Sequence, residues 1–260
     1  KLSKDTYACK KTNFDTAFPY AKLDAWAKFP EFQTMLSGSI AVQQGLDRIM
    51  IGFNGTSAAD DTDLAANPLL EDVNIGWLQK IREDAPDHVM GSTTQDGTTT
   101  AGAVKVGKGG DYANLDAVVM DAVNELIDVV YQDDDELVVI CGRELLSDKY
   151  FPLVNKEQEN SEKIAADLII SQKRMGGLQA VRAPFFPANA LLITRLDNLS
   201  IYWQEDTRRR SVIDNPKRDR IENFESVNEA YVIEDYRCAA LVENITIGDF
   251  TAPAAPEGGE

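Results

Sequence analysis

The glycine-rich run Val106-Gly107-Lys108-Gly109-Gly110-Asp111 is the first place where residue types and spacing could do chemistry. Free N–H groups at a helix start, helped by the helix dipole and a nearby lysine, favour a bound phosphate. The specific spacings are absent, however: there is neither GxxxxGK followed by Ser or Thr nor GxGxxG. The run reads as a loop-to-helix turn with a solvated lysine, and nucleotide binding is the lesser alternative. His88 is the single histidine. One histidine cannot build a metal site, and no cysteine stands at ligand spacing from it. Any Ser-His-Asp or Cys-His arrangement would have to use it, and no GxSxG elbow is present. It follows Pro86-Asp87 in a polar segment and reads as a surface residue. Carboxylates are dense at Asp133 to Glu136 and Glu157 to Glu162, but in a chain with 43 acidic residues chance pairs are expected. They read as a solvated face.

The formal charge of −17 argues against a general nucleic-acid binder, which needs clustered cations to neutralise phosphates. Three cysteines (Cys9, Cys141 and Cys238) without CxxC spacing suit a reducing compartment and read as small buried hydrophobes. The exception to the acidic trend is 205–225, EDTRRRSVIDNPKRDRIENFE, where Arg208, Arg209, Arg210, Lys217, Arg218 and Arg220 cluster between acidic flanks. Two readings stand: the charged face of a β-hairpin, or a subunit contact in which arginines fork onto a neighbour's carboxylates. Trp26, Phe29, Phe32, Trp77 and Trp203 form no stacking ladder for bases and read as core or interface anchors.

These residues must be held by a mixed α+β chain with strands concentrated late and no regular βαβ alternation. The 260 residues suit one large or two modest domains. No apolar run approaches the roughly 18 residues of a membrane span. Lys1-Leu2-Ser3-Lys4 has no apolar segment after it and no initiator Met precedes it, so a processed or partial chain is expected. Residues 5–18 alternate as a strand. Pro19 opens a short helix, and Pro30 opens a long one through Phe53, with Phe32, Leu36, Ile40, Leu46, Ile49, Met50 and Phe53 in one stripe. A short helix is predicted over 76–83, and a loop or hairpin tip over 91–103. Asp111 is expected to cap a helix running to about Tyr131, with Val130 on its apolar face. Leu137 to Cys141 reads as a buried strand. Helices are predicted from Gly142 to Tyr150 and from Asn160 or Ser161 to Arg174. Strands are predicted near 178–183, 190–195, 199–204, 224–234 and 237–247, and TAPAAPEGGE (251–260) reads as a disordered tail.

Particular motifs add a family resemblance. Gly142-Arg143-Glu144-Leu145-Leu146, Lys149-Tyr150-Phe151-Pro152, Val154-Asn155-Lys156-Glu157-Gln158 and Ile170-Ser171-Gln172-Lys173-Arg174 closely resemble the major capsid proteins of P2-like tailed bacteriophages. So do Lys22-Leu23-Asp24, Gly52-Phe53-Asn54-Gly55, Gly76-Trp77-Leu78-Gln79-Lys80, Val106 to Ala113, Leu199-Ser200-Ile201-Tyr202 and Glu234-Asp235-Tyr236. The likeness is in consistent order along nearly the whole chain.

The resemblance implies an HK97-like capsid fold with a peripheral domain, a spine helix, an axial domain and an extended loop. On that basis 1–18 would be the returning limb of the loop and 19–115 the peripheral domain, with 30–53 as spine helix. Residues 116–220 would be mostly axial, 221–250 would return to the peripheral sheet, and 251–260 would be a tail. It implies pentamers and hexamers of an icosahedral shell around double-stranded DNA, a scaffolding protein, a portal protein at one vertex, and neither catalysis, cofactor, metal nor membrane. Subunit contacts are expected through Lys10, Lys11, Phe14, Arg208, Arg209, Arg210, Lys217, Arg218 and Arg220. A non-viral compartment shell of the same fold is the second reading, and a nucleotide-binding enzyme using 106–111 the third.

Overall fold

The structure is a computed structural model that describes residues 6–95, 98–154 and 172–251. In chain order its elements are β1 (Lys10–Asn13), β2 (Thr16–Pro19), α1 (Tyr20–Trp26), α2 (Phe32–Asn54), α3 (Trp77–Asp84), β3 (Val89–Met90), β4 (Ser92–Gln95), β5 (Thr98–Ala101), β6 (Val104–Val106), α4 (Leu115–Leu126), α5 (Val129–Gln132), β7 (Val138–Cys141), α6 (Arg143–Val154), β8 (Arg174–Met175), β9 (Leu178–Arg182), β10 (Leu191–Thr194), β11 (Leu199–Trp203), β12 (Arg209–Asn215), β13 (Arg220–Ile233), β14 (Ala240–Val242) and β15 (Ile245–Ile247). They form two compact units, one from 1–79 with 200–232 and one from 80–199 with 233–260.

The first unit is organised around β13. Residues 10–13 and 16–19 both run antiparallel to it in one unbroken register, from Lys10 opposite Glu229 to Pro19 opposite Arg220. On its other edge β12 folds back from the turn at Pro216–Arg218 and pairs from Arg209 opposite Ser226 to Asn215 opposite Arg220. Asp219 closes that turn in the left-handed conformation at φ 49°, which Asp tolerates better than most residues. Helix α2 forms because its apolar positions recur at helical spacing. It ends at Gly55, whose N–H donates to the Ile51 carbonyl at 2.7 Å.

The C-terminal turns of α2 build the core. Ile51 and Phe53 are buried together with Trp77 and Tyr231, and Trp77 meets Phe53 and Tyr231 edge-on at centroid distances of 5.3 and 5.4 Å. Gly52 makes this possible, since a Cβ there would lie 2.3 Å from the Trp77 ring.

The second unit holds a six-stranded mixed sheet in the order β3-β14-β10-β7-β9-β8. β7 is buried along its whole length, as a run of β-branched residues flanked by strands on both sides should be. Leu115, Val118, Val119 and Ala122 of α4 join Val139, Cys141, Leu191, Ile193, Ala240 and Val242 in one cluster. Cys141 and Cys238 are buried thiols, and Cys9 is half-buried. Burial pushes the Cys141 thiol up to about 11.

Several expectations need correction. Helix α2 begins at Phe32, not Pro30, because Pro30 and Glu31 form a turn. Asp111 does not cap a helix. Its carboxylate accepts the Lys105 N–H at 2.9 Å, and Asn114 caps α4 through the Ala117 N–H. That helix stops at Leu126 because Asp128 starts α5 with its own cap, which leaves Val130 exposed. Helix α6 runs through Pro152 to Val154, since a proline forfeits one hydrogen bond and can bend a helix without ending it. The span 237–247 is two strands, and Asp235 caps the turn before them. Apart from these corrections, β12 zips onto β13, so that 200–220 groups with α2, and 80–115 and 240–247 group with the six-stranded sheet. Nearly all of the helix expected from Asn160 or Ser161, and of the tail 251–260, lies outside the described residues.

Candidate subunit interface

In the glycine-rich run two of the N–H donors are already engaged. The Gly107 N–H donates to Tyr112 O and the Gly110 N–H to Gly107 O, so these donors are used by the turn itself. Exposed Lys108 stands beside it, six residues ahead of the Asn114 cap. His88 is half-buried, with Nδ1 3.1 Å from the Ala239 carbonyl, so it is a structural contact more than a surface group. Among the described residues no cluster of three or more His, Cys, Asp or Glu is arranged to hold a metal ion, and no helix is long and apolar enough to cross a membrane.

The nine residues expected at subunit contacts all lie on the β1/β2, β13 and β12 ribbon, but their surroundings differ. Phe14 is buried at 7% exposure, with the Arg48 guanidinium 4.4 Å above its ring. Its side chain packs within its own chain. Arg208 reaches across the ribbon to Glu225, its Nε 2.7 Å from Oε1, while the Gln44 amide of α2 donates to Oε2 at 3.0 Å. Burial alone would raise the Glu225 carboxyl. The Gln44 and Arg208 donors outweigh burial and hold it below the ordinary carboxylate range.

Arg210 donates to Asn223 Oδ1 at 2.8 Å, and Asn223 donates to Thr16 Oγ1 at 3.2 Å, linking three strands. Arg220 holds Glu222 at 2.7 Å, and that hydrogen bond keeps the Glu222 carboxyl low. Arg218 lies 3.8 Å from the same carboxylate. Arg209 and Lys217, with Lys10 and Lys11, are exposed cations without an ion-pair partner among the described residues. Lys11 and Arg209 line an open groove of about 240 Å³ with Asn13, Asp15, Phe224 and Ser226.

The alternating register explains this division. Arg210 stands opposite Glu225 on the face that meets α2, and Arg209 stands opposite Ser226 on the other. Sequence reasoning saw one basic cluster, whereas the strand period of two separates it into structural cations and available ones. It missed the apolar members of the same surface: Val212 and Ile213 on β12 are exposed, and on opposite faces of the ribbon. Their signal was β-branched residues within a charged run.

The family model for phage major capsid proteins of the P2 family matches residues 1–245. This chain belongs to that family. The capsid protein of Escherichia phage P2 is 56% identical over 255 residues, 98% of this chain and 71% of the relative. The major capsid protein of Serratia phage KSP20 is 42% identical over 262 residues, all of this chain and 73% of that one. Among solved structures, the satellite phage P4 procapsid, which includes a size determination (Sid) protein, superposes with a TM-score of 0.87 at 53% identity, covering 96% of this chain and 75% of that one. A cyanophage A-1(L) capsid subunit, at 13% identity and a TM-score of 0.51, shares the fold alone.

The capsid subunit therefore has the HK97-like α+β fold and is a structural component of an icosahedral phage head. Its relatives are structural capsid proteins, part of the virion.

Proposed function

We propose that this subunit assembles as pentamers and hexamers of a closed shell around double-stranded DNA. A scaffolding protein would act during assembly and a portal protein would stand at one vertex. Assembly would take place in the bacterial host's cytoplasm, and the protein would carry no catalytic activity. The observation that carries the reading is 56% identity to the phage P2 capsid protein along 98% of the chain.

The composition agrees. A net charge of −17 disfavours tight binding of packaged DNA, so contact with the inner surface is weak and non-specific. Copies of so acidic a chain repel one another, and local cations offset that repulsion where they meet. Lys10, Lys11, Arg209 and Lys217 have the exposure for this contact. Arg208 and Arg220 act first within the subunit. In this reading the unit built on α2 and β13 is the peripheral domain, and the unit built on the six-stranded sheet is the axial domain.

The test is electron microscopy, with light scattering, of the full-length protein co-expressed with its scaffolding protein. Uniform closed particles are expected. A persistent monomer under those conditions would overturn the proposal. DNA content in purified heads separates a viral shell from a cellular compartment.

A further inference from the structure

The carbonyls of the glycine-rich run are taken up by the chain's own C-terminal segment. The parallel pair β6–β15 sets Ile245 opposite Val104 and Ile247 opposite Val106. Two more bonds carry that ladder past the end of both strands. The Gly248 N–H donates to Val106 O at 3.0 Å, and the Phe250 N–H donates to Lys108 O at 2.8 Å. Donors two residues apart are the strand pattern. The same register puts Gly248 opposite Gly107 and Phe250 opposite Gly109. The close approach accounts for the glycines. A methyl on Gly107 would overlap the Gly248 carbonyl, and one on Gly109 would lie 2.9 Å from the Thr251 nitrogen. Both have positive φ, 131° and 74°, which glycine adopts at least cost.

A methyl on Gly110 would lie 3.1 Å from the Phe250 ring. That half-buried ring thus rests against bare backbone, with the Lys105 ammonium 5.8 Å from its centroid. Asp249 then accepts the Thr251 N–H at 3.0 Å and closes the segment in a turn. A phosphate is held by converging N–H donors. Here the run turns acceptors toward its neighbour, which suits an extended peptide with N–H groups two residues apart and an aromatic ring over the glycines. Burial also divides the segment. Val104, Val106 and Ile245 are buried in the cluster beneath the six-stranded sheet, whereas 246–249 are exposed. We propose that 106–112 is a seat for 248–251, and that strap and seat open and close as one unit, separate from the sheet. Closed, the strap fixes the point from which the chain beyond Thr251 leaves the second unit.

Native-state hydrogen exchange of the full-length subunit, in denaturant well below its unfolding transition, tests this. The amides of Gly107, Gly110, Tyr112, Gly248 and Phe250 should share one opening free energy and exchange about a hundredfold or more faster than those of Val139 and Ile193 in the sheet. Phe250→Ala should speed exchange by about tenfold at Gly107 and Tyr112 as well as at Gly248, and leave Val139 and Ile193 at the wild-type rate. Tryptic cleavage after Lys108, whose carbonyl the strap holds, should quicken with it. Different opening energies for the two segments in the wild type overturn the proposal, because the turn then stands without its strap. A Phe250→Ala variant in which 248–251 alone loosens does the same. If Phe250→Ala instead melts the sheet, the strap belongs to the sheet's own cooperative unit and the proposal fails on that side.

Discussion

Arg48 of α2 and Glu229 of β13 meet with Nη2 2.7 Å from Oε1, and the Glu229 side chain is only 3% exposed. Around this pair the Asn74 amide donates to the Glu229 backbone carbonyl at 3.1 Å, and the Arg48 guanidinium caps Phe14. A charge buried this deeply needs its partner. The long helix is therefore tied to the central strand by an interaction that is costly to half-remove.

Arg48→Met should destabilise the free subunit by about 3–5 kcal/mol, because it leaves the Glu229 carboxylate buried and unpaired. Arg48→Met combined with Glu229→Met should recover most of that loss, since two apolar groups need no partner. Urea unfolding of both variants measures the difference, and a double variant no better than the single one would contradict this account.

Gly52→Ala should cost about 1–3 kcal/mol through overpacking, because the new methyl meets the Trp77 ring and that ring is wedged between Phe53 and Tyr231. Adding Trp77→Leu should restore part of the lost melting temperature by opening space, although it also gives up the indole donation to Ser200 O.

The Glu225 carboxyl is held below its ordinary value of 4.5. Stability from a lowered carboxyl is present above the unfolded-state pKa and is lost as pH falls through the folded-state value. The gap between the wild type and Arg208→Gln should therefore be widest near neutral pH and close as the solution is acidified below about 4.5. Denaturant midpoints from pH 7 to pH 3 would show two converging curves. Parallel curves would mean that Arg208 does not set the Glu225 equilibrium.

Charge reversal should separate the two kinds of arginine. Arg209→Glu should leave the melting temperature within about 1 °C, as surface changes usually do, and lower particle yield. Arg208→Glu places a carboxylate against buried Glu225 and should destabilise the subunit before assembly is reached. Differential scanning calorimetry with sedimentation of assembly reactions reads both, and equal behaviour of the two variants would count against the division.

The long helix was legible because its apolar stripe is regular, and β7 because Leu137 to Cys141 is a continuous apolar run around the β-branched Val138, Val139 and Ile140. The start of β13 was not. Arg220, Ile221, Glu222 and Asn223 carry one apolar residue in four, and they are extended because β2 and β12 bond them on both edges. The helix after the glycine-rich run starts three residues later than its sequence suggests, because Asp111 and Asn114 are equally good caps by type and Asp111 is engaged by the Lys105 N–H. The basic cluster was visible as composition. Its division was not, because whether an arginine meets Glu225 or solvent depends on strand register.

Strand β13 also has a mechanical meaning. Hydrogen bonds between strands lie across the strand direction, so a pull along β13 loads them side by side, not one after another. Four register positions to β1, four to β2 and seven to β12 share that load. A force arriving at the hairpin tip is spread over three strands before it reaches the Arg48–Glu229 tie. The ribbon is thus a tension member, stiff along its length, within the wall of a capsid.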